Sequence, residues 1–117
     1  MIAEKATDLG RLIGQSDEYK ALRRAHELVR DERDLQDRMG RLHTLAEQLE
    51  QAGAQDEEPP EAMVTEYNQL LGTIQSDSRY QTVVAAQSNF DKLMLRVNEQ
   101  ILEGIKKGAA SPIIQLG

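Results

Sequence analysis

The sequence predicts an all-α protein: an elongated antiparallel helical hairpin or bundle of about four helices, two of them long, completed by oligomerisation. Three observations point there. Apolar residues recur at helical spacing along most of the chain, and in one stretch they fall in heptads. Side chains are aliphatic and charged rather than aromatic, with three Tyr, one Phe and no Trp among 117 residues, a poor composition for a sheet. Gly (8) and Pro (3) are scarce enough to leave long uninterrupted runs.

The first helix is expected over about Ile2–Gly14, with Ala6, Leu9, Leu12 and Ile13 at helical spacing. Gln15-Ser16-Asp17 ends it. Ser16 can accept from the free amides of the next helix, and Asp17 and Glu18 then suit its positive end. That second helix is expected to run unbroken over about Asp17–Ala52. Leu28, Leu35, Leu42 and Leu49 recur every seven residues, with Ala25, Met39 and Ala46 three places before three of them. Leu22, Val29 and Leu45 widen this stripe. The opposite side is densely charged, with Arg30/Asp34, Arg33/Asp37, Asp34/Arg38 and Asp37/Arg41 four apart. Gly40 in the middle suggests a bend or a close helix crossing.

Gly53–Pro60 (GAQDEEPP) reads as a loop, with Gly53 as the helix C-cap and Pro59 or Pro60 in the first turn of the next helix. A third helix follows over about Glu61–Gln75, placing Met63, Val64, Tyr67, Leu70, Leu71 and Ile74 on one face. Ser76-Asp77-Ser78 interrupts it, and Ser78 with Gln81 matches a reciprocal capping box. The fourth helix is expected from there to about Lys107, striped by Val83, Gln87, Phe90, Met94, Val97 and Ile101, broadened by Leu93 and Ile105, and closed by Gly108. Residues 1–108 form one domain. Residues 109–117 form an apolar tail that Ser111-Pro112 keeps out of the helix. The two long helices open on similar runs, QSDEY and QSDSRY, as two alike helix starts.

A helix over 17–52 spans roughly 54 Å at about 1.5 Å per residue, whereas a compact domain of this length has a radius of gyration of only about 13 Å. The chain must therefore be elongated. One hairpin is too thin to cover both apolar seams, so a second copy is the expected remedy. The expected core and oligomer seam comprises Leu28, Leu35, Met39, Leu42, Leu49, Val83, Phe90, Met94, Val97 and Ile101.

Chemistry is harder to find. Without cysteine there are no disulfides, thiolate metal sites or thiol nucleophiles. His26 and His43 lie about 25 Å apart on a straight helix and cannot share a metal within one chain. Carboxylate pairs such as Asp31/Asp34 and Glu99/Glu103 read as solvated charge, since bundle di-metal sites need Glu-x-x-His on buried positions. No serine has a histidine placed to activate it, and there is no glycine-rich phosphate loop. The expectation is no enzyme, no cofactor and no metal.

A net charge of −6 has the wrong sign for a general nucleic-acid binder, and the leucine heptads lack the basic helix that a DNA-binding zipper needs. No run is long and apolar enough to insert in a membrane, and no secretory signal is legible, so the cytoplasm is the expected location. In the tail, Ile113, Ile114 and Leu116 either fold back on the bundle or dock on a partner.

Several segments resemble one family. Ser-Asp-Glu-Tyr-Lys-Ala-Leu (16–22) after a short first helix, a long charged helix, an acidic Pro-containing loop, and Ala-Gln-Ser-Asn-Phe-Asp-Lys-Leu-Met-Leu-Arg-Val-Asn-Glu-Gln-Ile (86–101) are similar to the YlbF/YmcA/YheA group of small bacterial helical proteins. The resemblance covers roughly Ile2 to Lys107. It implies an oligomeric helical protein without enzymatic activity, an accessory factor in bacterial development. Its relatives work in complexes linked to an endoribonuclease and messenger-RNA processing. Some relatives bind an iron–sulfur cluster through cysteines that this chain does not have. The expected function is thus a non-enzymatic oligomeric adaptor or regulator, with itself and a protein partner, an endoribonuclease complex among the candidates, as its contacts. Two alternatives stay open: a structural or holdase-like coiled-coil protein, and a weak single-stranded RNA binder using Arg23, Arg24, Arg30 and Arg33.

Overall fold

A computed structural model describes residues 1–110. It contains five helices and, among these residues, no strand: α1 (Ile2–Gly14), α2 (Asp17–Arg30), α3 (Arg33–Ala54), α4 (Glu61–Gln75) and α5 (Ser78–Ala110). The all-α, elongated expectation holds, with extents of 72 × 37 × 20 Å and a Cα radius of gyration of 21.8 Å. α2 packs along α5, and α3 packs along α4, so the molecule is two helical hairpin arms joined at a corner.

The helix expected over 17–52 is in fact two. Asp31 closes α2, and Glu32, at φ −93° and ψ 89°, opens α3. The carbonyl of Val29 accepts at the break from the Glu32 amide (3.0 Å) and from Gln36 Nε2 (3.0 Å), so it is not left unpaired. The reason for the break is a change of phase. Val29 and Leu35 are both buried but sit six residues apart. At about 100° per residue they would point roughly 120° away from each other on one straight helix. Breaking the helix lets both reach a single cluster with Ile74, against which Met39, Leu42, Tyr80 and Val83 pack.

Caps account for the other ends. The Ser16 hydroxyl accepts from the Tyr19 amide at 3.1 Å, as the sequence suggests. At α5 the cap is Asp77 rather than Ser78: its Oδ1 accepts from the Arg79 amide at 2.9 Å, and Gln81 donates to the Gln75 carbonyl instead of closing a box. α3 does not stop at Gly53. It continues to Ala54, and Asp56 adopts the left-handed conformation (φ 55°). There the Glu57 amide reaches the Ala52 carbonyl (2.8 Å) and the Asp56 amide reaches Gly53 (3.2 Å), a Schellman closure with Asp where Gly is usual. Pro60 sits just before α4. α5 passes through Gly108 to Ala110, because one helical glycine costs only about 1 kcal/mol. Gly40 marks no close crossing, since an added Cβ would meet nothing within 4 Å.

In the α2–α5 arm the small residues Ala25 and Ala86 are buried, one on each helix, and Tyr19 meets Phe90 with ring centroids 5.8 Å apart. Leu45 is fully buried in the α3–α4 arm.

Candidate functional site: an ion-paired corner and a bare helix end

The corner where the arms meet is roofed by charge. Arg79, in the first turn of α5, donates to Glu32 (2.9 Å), to both carboxylate oxygens of Asp34 (3.2 and 3.0 Å) and to both of Asp77 (3.0 and 2.7 Å). Arg38 adds bonds to Asp34 (3.2 Å) and Asp77 (3.3 Å). The Asp77 side chain is only 13% exposed. Its hydrogen bonds to the Arg79 guanidinium, aided by the Arg79 and Tyr80 amides, hold its carboxyl far below the usual carboxylate range, and Asp34 is lowered by the same guanidinium. Arg79 is raised in turn, chiefly by Asp77 and then Asp34. Carboxylates held ionised and engaged in this way are suited to fastening the corner, not to accepting a proton. In the second arm Arg41 makes a bidentate pair with Glu66 (2.7 and 2.8 Å), which raises Arg41 and lowers Glu66.

The opposite end of the molecule is apolar. Glu18, in the first turn of α2, reaches Arg96 (3.6 Å), so α5 beyond Val97 runs past the start of α2. Leu102 (57%) and Ile105 (59%) are exposed on this stretch, and Leu95 (59%) is exposed just before it. A shallow groove lies between α1 and α5, lined by Leu9, Val97 and Ile101 with Arg96 and Gln100.

The seam residues named from the sequence divide between these two regions. Leu35 is fully buried at the corner, with Met39, Leu42 and Val83 half-buried around it. Leu49, Phe90, Met94 and Val97 are half-buried along the arms. Leu28 is 48% exposed and Ile101 45%. Ile113, Ile114 and Leu116 lie outside the described residues. The sequence reading missed the Arg79 cluster, which joins residues 45 and 47 positions apart, and named only Ile105 of the exposed row at 95, 102 and 105. The row had a signal in its helical spacing of seven and three. The cluster had none in local sequence.

Other sequence candidates are placed without convergence. His26 is exposed, and His43 Nε2 lies 3.0 Å from Glu47 one turn on. Of the arginine ridge, Arg23 pairs with Glu27 and Arg30 with Asp31. Among the described residues no group of three His, Asp or Glu is arranged to hold a metal, and no helix is long and apolar enough to cross a membrane.

No curated protein and no solved structure gives a significant match to the chain. A family model does: that described as control of competence regulator ComK, YlbF/YmcA, matching residues 2–106. The match spans all four inter-helix junctions and both arms, and the chain belongs to the YlbF/YmcA family of regulators.

Proposed function

We propose that the protein is a non-enzymatic adaptor that works as a homo-oligomer and regulates through protein–protein contacts. The observation that carries this reading is the apolar surface along the C-terminal half of α5, where Leu95, Leu102 and Ile105 are each more than half exposed. Such side chains are worth about 1.5–3 kcal/mol each when buried, so a surface concentrating them favours association. The engaged, ionised carboxylates of the corner support a structural rather than a catalytic use of its charge. By resemblance, the partner is an RNA-processing assembly built on an endoribonuclease.

The test is capture of tagged protein from its host at near-physiological salt, with and without nuclease, in parallel for wild type and Leu102→Asp. A specific, nuclease-resistant partner lost in the variant is the expected result. Catalytic turnover that tracks the purified protein would overturn the non-enzymatic reading. The same apolar end also suits a holdase, which predicts suppression of model-substrate aggregation without a specific partner. Recovery that disappears with nuclease would favour RNA contact instead.

A further inference from the structure

We infer that a second copy of this chain docks on the free end of α5, as an antiparallel two-fold pair of α5 helices centred between Leu102 and Ile105. This rests on the oligomeric reading above and names the surface that serves it.

The exposed side of α5 carries Leu95, Asn98, Leu102, Ile105 and Ala109, spaced three, four, three and four. That is a heptad seam, with Leu95, Leu102 and Ala109 at one core position and Asn98 and Ile105 at the other. It is distinct from the row that α5 turns towards α2 and α1, where Phe90 and Val97 are half-buried. One heptad earlier the same positions are Ser88 and Asp91, both polar, so the apolar seam begins at Leu95. The segment past Val97 also lies beyond the start of α2, and α1 and α5 do not pack backbone to backbone.

Charge decides the partner and its direction. The positions flanking this seam on one side are Glu99 and Lys106, of opposite sign, one heptad apart and both exposed. In a parallel pair of identical chains these positions face the other flank of the seam, Glu99 against Met94 and Lys106 against Ile101, so neither charge meets its opposite. In an antiparallel pair these flanking positions face one another. Setting Leu102 opposite the second copy's Ile105 brings Glu99 of each chain against Lys106 of the other, twice by symmetry. The same register sets Asn98 opposite Ala109, a polar–small layer at each end that penalises slipped alignments. It also places Ile101 beside Gly108 of the other copy, where the absence of a side chain leaves room; an added Cβ at Gly108 meets nothing within 4 Å in one chain. Apolar layers, charge and the small residue thus agree on one register, and a two-fold pair satisfies all of them with a single surface.

Sedimentation equilibrium of the full chain tests this, with circular dichroism melts to confirm that each variant folds. Wild type is expected to dimerise reversibly. Glu99→Lys and Lys106→Glu should each weaken the dimer by about tenfold or more, and the double swap Glu99→Lys/Lys106→Glu should restore it, because opposite charges again meet across the axis. The chain has no cysteine, so a single spin label at Lys92→Cys reads the direction. The antiparallel register puts the two labels roughly 35 Å apart along the axis, while a parallel pair puts them side by side. A dimer indifferent to all three charge variants, or one with adjacent labels, overturns the α5 pairing while leaving oligomerisation standing. A wild type that stays monomeric at high concentration overturns both.

Discussion

Asp56 is the one non-glycine residue among those described that occupies the left-handed region, and it does so at the point where α3 must turn back towards α4. A side chain there carries a backbone cost that glycine does not, and a carboxylate sits unfavourably at the negative end of a helix. Asp56→Gly is therefore expected to raise stability by about 0.5–1 kcal/mol in urea unfolding. A loss of stability would mean that the side chain makes a compensating contact. Burial separates the leucines more sharply than their spacing does. Leu35 and Leu45 are fully buried, and either changed to Ala should cost about 2–5 kcal/mol. Leu28→Ala, in the same heptad phase as Leu35 but half exposed, should cost under about 1 kcal/mol in the monomer. Equal losses at Leu28 and Leu35 would restore the unbroken stripe. Gly40→Ala, with open space around the new methyl, should add about 0.5–1 kcal/mol.

At the scale of elements, much was legible. The bounds of α1 and α4, the Ser16 cap and the break before α5 follow from local signals: periodicity, a hydroxyl before acidic residues, and a Ser-Asp-Ser run. The division between α2 and α3 was not, because Arg30-Asp31-Glu32-Arg33 contains neither proline nor glycine and suits a helix locally. What ends the helix is tertiary: Val29 and Leu35 must reach one cluster, and Arg79, remote in sequence, gathers Glu32 and Asp34 at the joint. That joint has a pH signature. Asp77 and Asp34 are depressed in the folded state below an ordinary value of 3.8, so their stabilisation is complete above about pH 4. It is lost as pH falls further, because the unfolded chain takes up protons first. Wild type should therefore lose stability steeply below pH 4. Arg79→Ala should be less stable at neutral pH and show a shallower acid dependence, with the Arg41–Glu66 pair supplying the remainder. Chemical unfolding at fixed temperature across pH 2–7 measures both, and parallel curves for the two proteins would argue against the clasp.

For the whole molecule, elongation was expected from an unbroken helix over 17–52 that the structure divides, and the length comes instead from two helical arms that meet at a break only long-range contacts impose. The described residues bury few side chains fully, so most of the chain's chemistry lies on its surface, and composition accordingly excluded more than it identified. Length itself has a practical consequence. A particle of 13.1 kDa that extends 72 Å tumbles and diffuses as a much larger sphere would. On a size-exclusion column calibrated with globular standards, a single chain should elute early enough to be taken for a pair. Its light-scattering mass should stay near 13.1 kDa in dilute solution, and its X-ray scattering distance distribution should be skewed, with a tail reaching about 70 Å. Elution volume is thus a misleading measure of stoichiometry for this protein, and mass must be read from methods that do not assume a shape.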